Sequence, residues 1–180
     1  EIQKGDFSEN VANGIDEYSV MRPLGVFAMI PPFNFPAMVP WWFAPYAIAT
    51  GDTYIIKPNE RCPMSQQEIF KIIDEELNLP PGVINLINGA AEVGNQLIEH
   101  SDIEGISFVG STSVAKKIYM QAATEGKRVQ CQAGANNFLV VMPDTNLEQA
   151  IPNMMGSCFG NTGQRCLTGS VVVGVGDIYE

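Results

Sequence analysis

The chain has 180 residues, enough for one domain with a full hydrophobic core. Its 20 acidic against 10 basic side chains give a formal net charge of −10, which argues against nucleic acid and anionic membrane surfaces as partners. Cys62, Cys131, Cys158 and Cys166 form no CxxC pair and His100 is the single histidine, so the sequence offers no recognisable metal site and no disulfide framework. A reducing compartment is the natural reading of such cysteine usage.

Residues 1–22 are mostly polar and read as an arm or extended segment from a bridging or oligomerisation region. No start methionine is present, the polar run opens the chain and an apolar strand closes it, so the expectation is the middle of a longer protein. Residues 23–51 carry no charge, yet Pro31, Pro32, Pro36, Pro40 and Pro45 interrupt them, which favours a buried strand, a proline-rich turn and a core helix over a membrane span. Apolar runs predict strands over residues 24–30, 53–57, 83–87, 106–109, 138–142 and 170–175. Helical patterns lie between them, over residues 36–49, 65–77, 91–99, 113–123 and 147–159. Strands apolar throughout, each followed by a helix, predict an α/β fold: an open parallel Rossmann-like sheet with helices on both faces, then the start of a second α/β domain. The rhythm changes near residues 127–132, so the expected domains are 23–131 and 132–180.

Four motifs carry chemistry. Asn34 lies in a turn clamped by Pro32 and Pro36, where Phe33 and Phe35 would keep its amide rigid and dry. A plain turn asparagine is the simpler reading of that position taken alone. Lys57 and Glu60 follow a predicted strand and could hold ribose hydroxyls; a solvated ion pair is the simpler alternative. Gly110 and Ser111 end a strand and open a helix, where free amides attract phosphate, although serine caps begin many helices. Cys166 follows the glycine-punctuated run Gly160-Asn161-Thr162-Gly163-Gln164-Arg165. A thiolate there would attack a carbonyl carbon, whereas most free cysteines only pack. A thiol nucleophile with a side-chain amide donor is the minimum set for stabilising a tetrahedral oxyanion.

In order and spacing, Phe33-Asn34-Phe35-Pro36, Lys57-Pro58-Asn59-Glu60, Phe108-Val109-Gly110-Ser111 and Gly163-Gln164-Arg165-Cys166 resemble the aldehyde dehydrogenase superfamily along essentially the whole chain. The resemblance implies most of a cofactor domain followed by the opening of a catalytic domain. It implies that Cys166 is the nucleophile, forming a thiohemiacetal and then a thioester after hydride transfer to NAD. It implies that Asn34 is the side-chain half of the oxyanion hole, that Lys57 and Glu60 hold the adenosine ribose, and that Phe33, Gly110 and Ser111 belong with the cofactor-binding positions. A carboxylate at Glu60 suits a 2′-hydroxyl and opposes a 2′-phosphate, favouring NAD over NADP. A homodimer or homotetramer is implied, cytoplasmic in a bacterium or in the mitochondrial matrix of a eukaryote.

One departure from the family pattern bears on the acyl acceptor. Most members carry a glutamate that activates water to hydrolyse the thioester; counting back from Pro143-Asp144, Gln132 stands in its place, and one residue of slippage would put Cys131 there instead. An amide cannot act as a general base near neutral pH. Together with Gly134-Ala135-Asn136-Asn137 and Val140-Val141-Met142-Pro143-Asp144, this is similar to the acylating, coenzyme A-dependent methylmalonate-semialdehyde branch of the family, although Asn136 stands where that branch would carry lysine. The competing readings are a hydrolytic NAD-dependent member and an inactive structural paralogue.

Overall fold

The computed structural model describes residues 1–179, and the chain divides into two compact units, Glu1–Gln132 and Ala133–Glu180. The first unit opens with an antiparallel hairpin of β1 (Phe7–Ala12) and β2 (Ile15–Tyr18). Ala12 pairs with Ile15, so the loop is the dipeptide Asn13-Gly14, and Gly14 takes φ 73°. That dipeptide is a strong hairpin signal. The polar character of the first residues obscured it, and the arm expected there is a paired ribbon.

The main sheet of this unit is parallel and five-stranded, in the order β5-β4-β3-β6-β7. Its strands are β3 (Val26–Ile30), β4 (Thr53–Ile56), β5 (Ile84–Leu86), β6 (Ile103–Val109) and β7 (Arg128–Gln132). The helices are α1 (Ala44–Ala49), α2 (Met64–Glu76), α3 (Ala91–Glu99) and α4 (Thr112–Thr124). Side-chain alternation along β3 shows why the sheet is covered twice. Ala28 and Ile30 point into a cluster with Leu97 and Ile98 of α3 and with Ala115, Ile118 and Ala122 of α4. Met29 points into the opposite cluster, with Ala44 of α1, Tyr54 and Ile56, against which Phe70 of α2 packs. Each fully buried aliphatic side chain of this kind stabilises the fold by about 1.5–3 kcal/mol.

Two expectations are corrected here. The helix expected over residues 36–49 is broken: a 3-10 turn covers Val39–Trp41 and α1 starts only at Ala44, because Pro40 and Pro45 fit only first-turn positions. β7 was not foreseen as a strand. Its sequence alternates, with Val129 and Cys131 packed on the α3–α4 cluster and Arg128, Gln130 and Gln132 exposed, which is the pattern of an edge strand rather than an all-apolar one.

Buried Asp52 ties the start of this sheet together. Its Oδ1 accepts from the Leu24 and Gly25 amides at 2.6 and 2.8 Å, and its Oδ2 from the Thr50 hydroxyl at 2.8 Å, so the carboxylate enters the core with its hydrogen bonds made.

The second unit is one strand–helix–strand repeat. β8 (Asn137–Val141) and β9 (Gly169–Gly174) pair in parallel, and α5 (Leu147–Phe159) joins them. The Asn146 side chain caps α5, accepting from the Gln149 amide at 3.4 Å. Among the described residues no helix is long and apolar enough to cross a membrane, and no group of three or more His, Cys, Asp or Glu could hold a metal ion.

Candidate active site

The strand order decides where a ligand can sit in the first unit. From β3 the chain moves to one side through β4 and β5, then returns to the other side with β6 and β7, so the order reverses between β3 and β6. Such a switch point leaves a crevice at the carboxyl ends of the strands, where nucleotides bind in open α/β sheets. The turn bearing Phe33 and Asn34 leaves the carboxyl end of β3, and Gly110 and Ser111 follow β6 directly. Lys57 and Glu60 leave β4, on the other side of β3. All six therefore share one edge of the sheet, and the Lys57 and Ser111 strands flank β3 rather than adjoin each other.

Ser111 is the N-cap of α4 in extended conformation, but its side chain makes no capping bond; its Oγ lies 3.4 Å from Ser113 Oγ. The hydroxyl is thus not spent on the helix's own amides. Gly110 permits the close turn: a Cβ there would stand 2.5 Å from the Phe108 ring. Its amide donates to the Gln132 carbonyl at 3.1 Å, joining the helix entry to the end of β7.

Lys57 is 3% exposed, and its Nζ donates to the Pro58 and Gly89 carbonyls at 2.9 and 2.8 Å. An ammonium has three N–H donors, so one remains for a ligand. Burial pulls the Lys57 ammonium below the usual lysine range, against the opposing pull of Glu60 and Glu92. Half-exposed Glu60 lies 4.0 Å from it, with a carboxylate free to reach a hydroxyl. Phe33 is exposed, with the Arg61 guanidinium carbon 5.9 Å from its ring centroid.

Gln132 ends β7 with its side chain exposed. Cys131 faces the core instead, and burial pushes its thiol up. Of these two neighbouring positions, Gln132 is exposed and Cys131 half-buried.

In the second unit α5 runs into a turn where Asn161, Thr162 and Gly163 all take positive φ, at 54°, 53° and 71°. A β-branched residue in that region is a genuine outlier, and such strain is associated with functional turns. Three residues on, Cys166 is exposed. Its backbone is held by a residue that the sequence reading passed over as part of a turn: Asn137 Nδ2 donates to the Cys166 carbonyl at 2.8 Å and to the Thr168 carbonyl at 3.0 Å. The asparagine lies 29 residues away in sequence, so only the pairing of β8 with β9 reveals it. Cys158 is half-buried in α5, with its sulfur packed at Gly169. His100 ends α3 on the surface, where its Nδ1 accepts from the Asp102 amide at 3.2 Å.

The sequence pattern of the aldehyde dehydrogenase family matches residues 2–180. The chain belongs to the aldehyde dehydrogenase family. It is 48% identical over 179 residues to malonate-semialdehyde dehydrogenase 2 of Geobacillus thermodenitrificans, covering 99% of this chain and 37% of that protein. Among solved structures it superposes on the methylmalonate-semialdehyde dehydrogenase of Oceanimonas doudoroffii with TM-score 0.93 and 44% identity, over 99% of this chain and 36% of the other. It superposes on an aldehyde dehydrogenase of Bacillus cereus, solved as an NAD⁺ complex, with TM-score 0.89 and 32% identity, over 95% of this chain and 35% of the other. The chain thus spans little more than a third of the aldehyde dehydrogenases it matches. The parallel sheet flanked by helices is the Rossmann-like fold of this family.

Proposed function

We propose that the subunit to which this chain belongs oxidises malonate semialdehyde or its methyl homologue with NAD and transfers the resulting acyl group to coenzyme A. The observation that carries the acyl-transfer reading is that no Asp or Glu occurs between Glu125 and Asp144, the span in which most family members place the base for hydrolysis. The (methyl)malonate-semialdehyde relatives support the choice of substrate.

The residues at the sheet edge fit a dinucleotide. The Ser111 hydroxyl and the amides opening α4 would face the pyrophosphate, while the remaining Lys57 proton and the Glu60 carboxylate would take the ribose hydroxyls. Bound NAD would supply the hydride acceptor for the aldehyde carbon. Cys166 Sγ attacks that carbon, and the Asn34 amide and the Cys166 N–H hold the oxygen as it gains charge. Cys166 then carries the oxidised acyl group as a thioester. Asn137 fixes the Cys166 carbonyl, and with it the peptide plane of the next residue. The Gln132 amide offers no base to a water molecule, so the thioester waits for a thiol.

Two substitutions in the full-length subunit test the cofactor and oxyanion roles. Glu60→Gln is expected to relax the preference for NAD over NADP, because the carboxylate that repels a 2′-phosphate is gone; an unchanged ratio of kcat/KM for the two cofactors would remove Glu60 from the ribose site. Asn34→Ala is expected to lower the rate of acyl-enzyme formation by about 10²–10³-fold, the usual loss for one oxyanion donor. A near wild-type single-turnover rate would rule that role out.

A further inference from the structure

The Asn34 turn lies between the end of β3 and the start of α1, outside any sheet ladder. Its own backbone bonds, Val39 N–H to Phe35 O at 3.2 Å and Trp41 N–H to Met38 O at 3.1 Å, shape its second half only. Further ties come from residues 61–66. Gln66, in the first turn of α2, is fully buried. Its Nε2 donates to the Pro36 carbonyl at 2.5 Å and lies 3.4 Å from the Ala37 carbonyl, and its Oε1 accepts from Trp41 Nε1 at 3.2 Å. On the other flank of Asn34, the Cys62 thiol lies 3.5 Å from the Phe33 carbonyl, and Arg61 stands over the Phe33 ring. Burial and the nearby Glu60 carboxylate keep the Cys62 thiol protonated, as a donor to that carbonyl must be.

We propose that Gln66 is a positioning residue for the oxyanion donor, with Arg61 and Cys62 bracing the other flank of the same turn. This rests on the reading that Asn34 stabilises the oxyanion. The chemistry at position 66 is restrictive. A hydrophobe of equal volume leaves the indole N–H and the carbonyls without partners in a dry site. A glutamate could accept from Trp41 but would face those carbonyls with negative charge. Only a neutral side chain that both donates and accepts at this reach satisfies them all.

The test is a double-mutant cycle on the full-length subunit, reading the single-turnover rate of NADH formation with malonate semialdehyde. Gln66→Met is expected to slow that rate by about tenfold, since small misplacements of a catalytic group carry losses of this order. NAD affinity, read by cofactor fluorescence, is expected to stay unchanged. In an Asn34→Ala background the same Gln66→Met substitution is expected to change the rate by less than about twofold, because residues acting as one unit are not additive. Should Gln66→Met not fold, Trp41→Phe removes the N–H that orients Gln66 and keeps an aromatic ring against Phe70, which lies 6.0 Å away; it is expected to slow the rate with the same non-additivity. A slowed Asn34→Ala enzyme with additive or absent effects of Gln66→Met and Trp41→Phe overturns this inference alone. An Asn34→Ala enzyme with wild-type rate overturns both this inference and the oxyanion reading.

Discussion

Cys166→Ser in the full-length subunit is expected to eliminate NADH production, by about 10⁴-fold or more, the scale on which loss of a covalent nucleophile is felt. Cys158→Ser is expected to leave the chemistry intact and to cost about 1 kcal/mol of stability. The contrast follows from the surroundings of the two thiols. Cys166 is exposed, after a turn of three left-handed residues, with its carbonyl fixed by Asn137. Cys158 lies eight positions earlier on α5, with its sulfur against Gly169. Peptide mapping of the acyl-enzyme trapped with aldehyde and NAD decides the matter. Label on the peptide containing Cys158 alone would remove Cys166 from the mechanism.

The second expected result concerns turnover without coenzyme A. The wild-type subunit should release a burst of NADH amounting to one equivalent per active site and then nearly stop; adding coenzyme A should restore steady turnover. General-base assistance is worth about 10²–10⁴ in rate, and the exposed Gln132 amide supplies none. A thiol nucleophile needs less help, since its thiolate is far more reactive than water. Gln132→Glu should raise the rate of hydrolysis to the free acid. It is the informative substitution because Cys131, the neighbouring candidate for that place, faces the core. Sustained wild-type production of the free acid, indifferent to coenzyme A, would favour the hydrolytic reading.

Much of the scaffold was legible in the residues because parallel strands buried on both faces leave unbroken apolar runs. Residues 24–30 and 106–109 announced β3 and β6 in that way. β7 was not legible by the same rule, since an edge strand with one exposed face alternates polar and apolar residues. The prolines at 40 and 45 warned of trouble in the first helix, but whether they kink or divide it depends on the packing of Trp41, Trp42 and Phe43 against the core. Lys57, Glu60, Gly110, Ser111 and Asn34 could be picked out because turns after strands concentrate unusual residue types. Gln66 and Asn137 could not: a glutamine in a helix and an asparagine at a strand start look ordinary until tertiary structure brings distant carbonyls to them.

The position of β3 in the sheet has a consequence for motion. It is hydrogen-bonded to a neighbour on each side, β4 and β6. Amides so placed exchange with solvent only through large-scale opening, whereas edges and termini fray at little cost. The Asn34 turn is therefore rooted in an interior strand of its sheet, and a fluctuation that displaces it at little cost acts on residues 31–43 or on the 61–66 brace rather than on the sheet beneath.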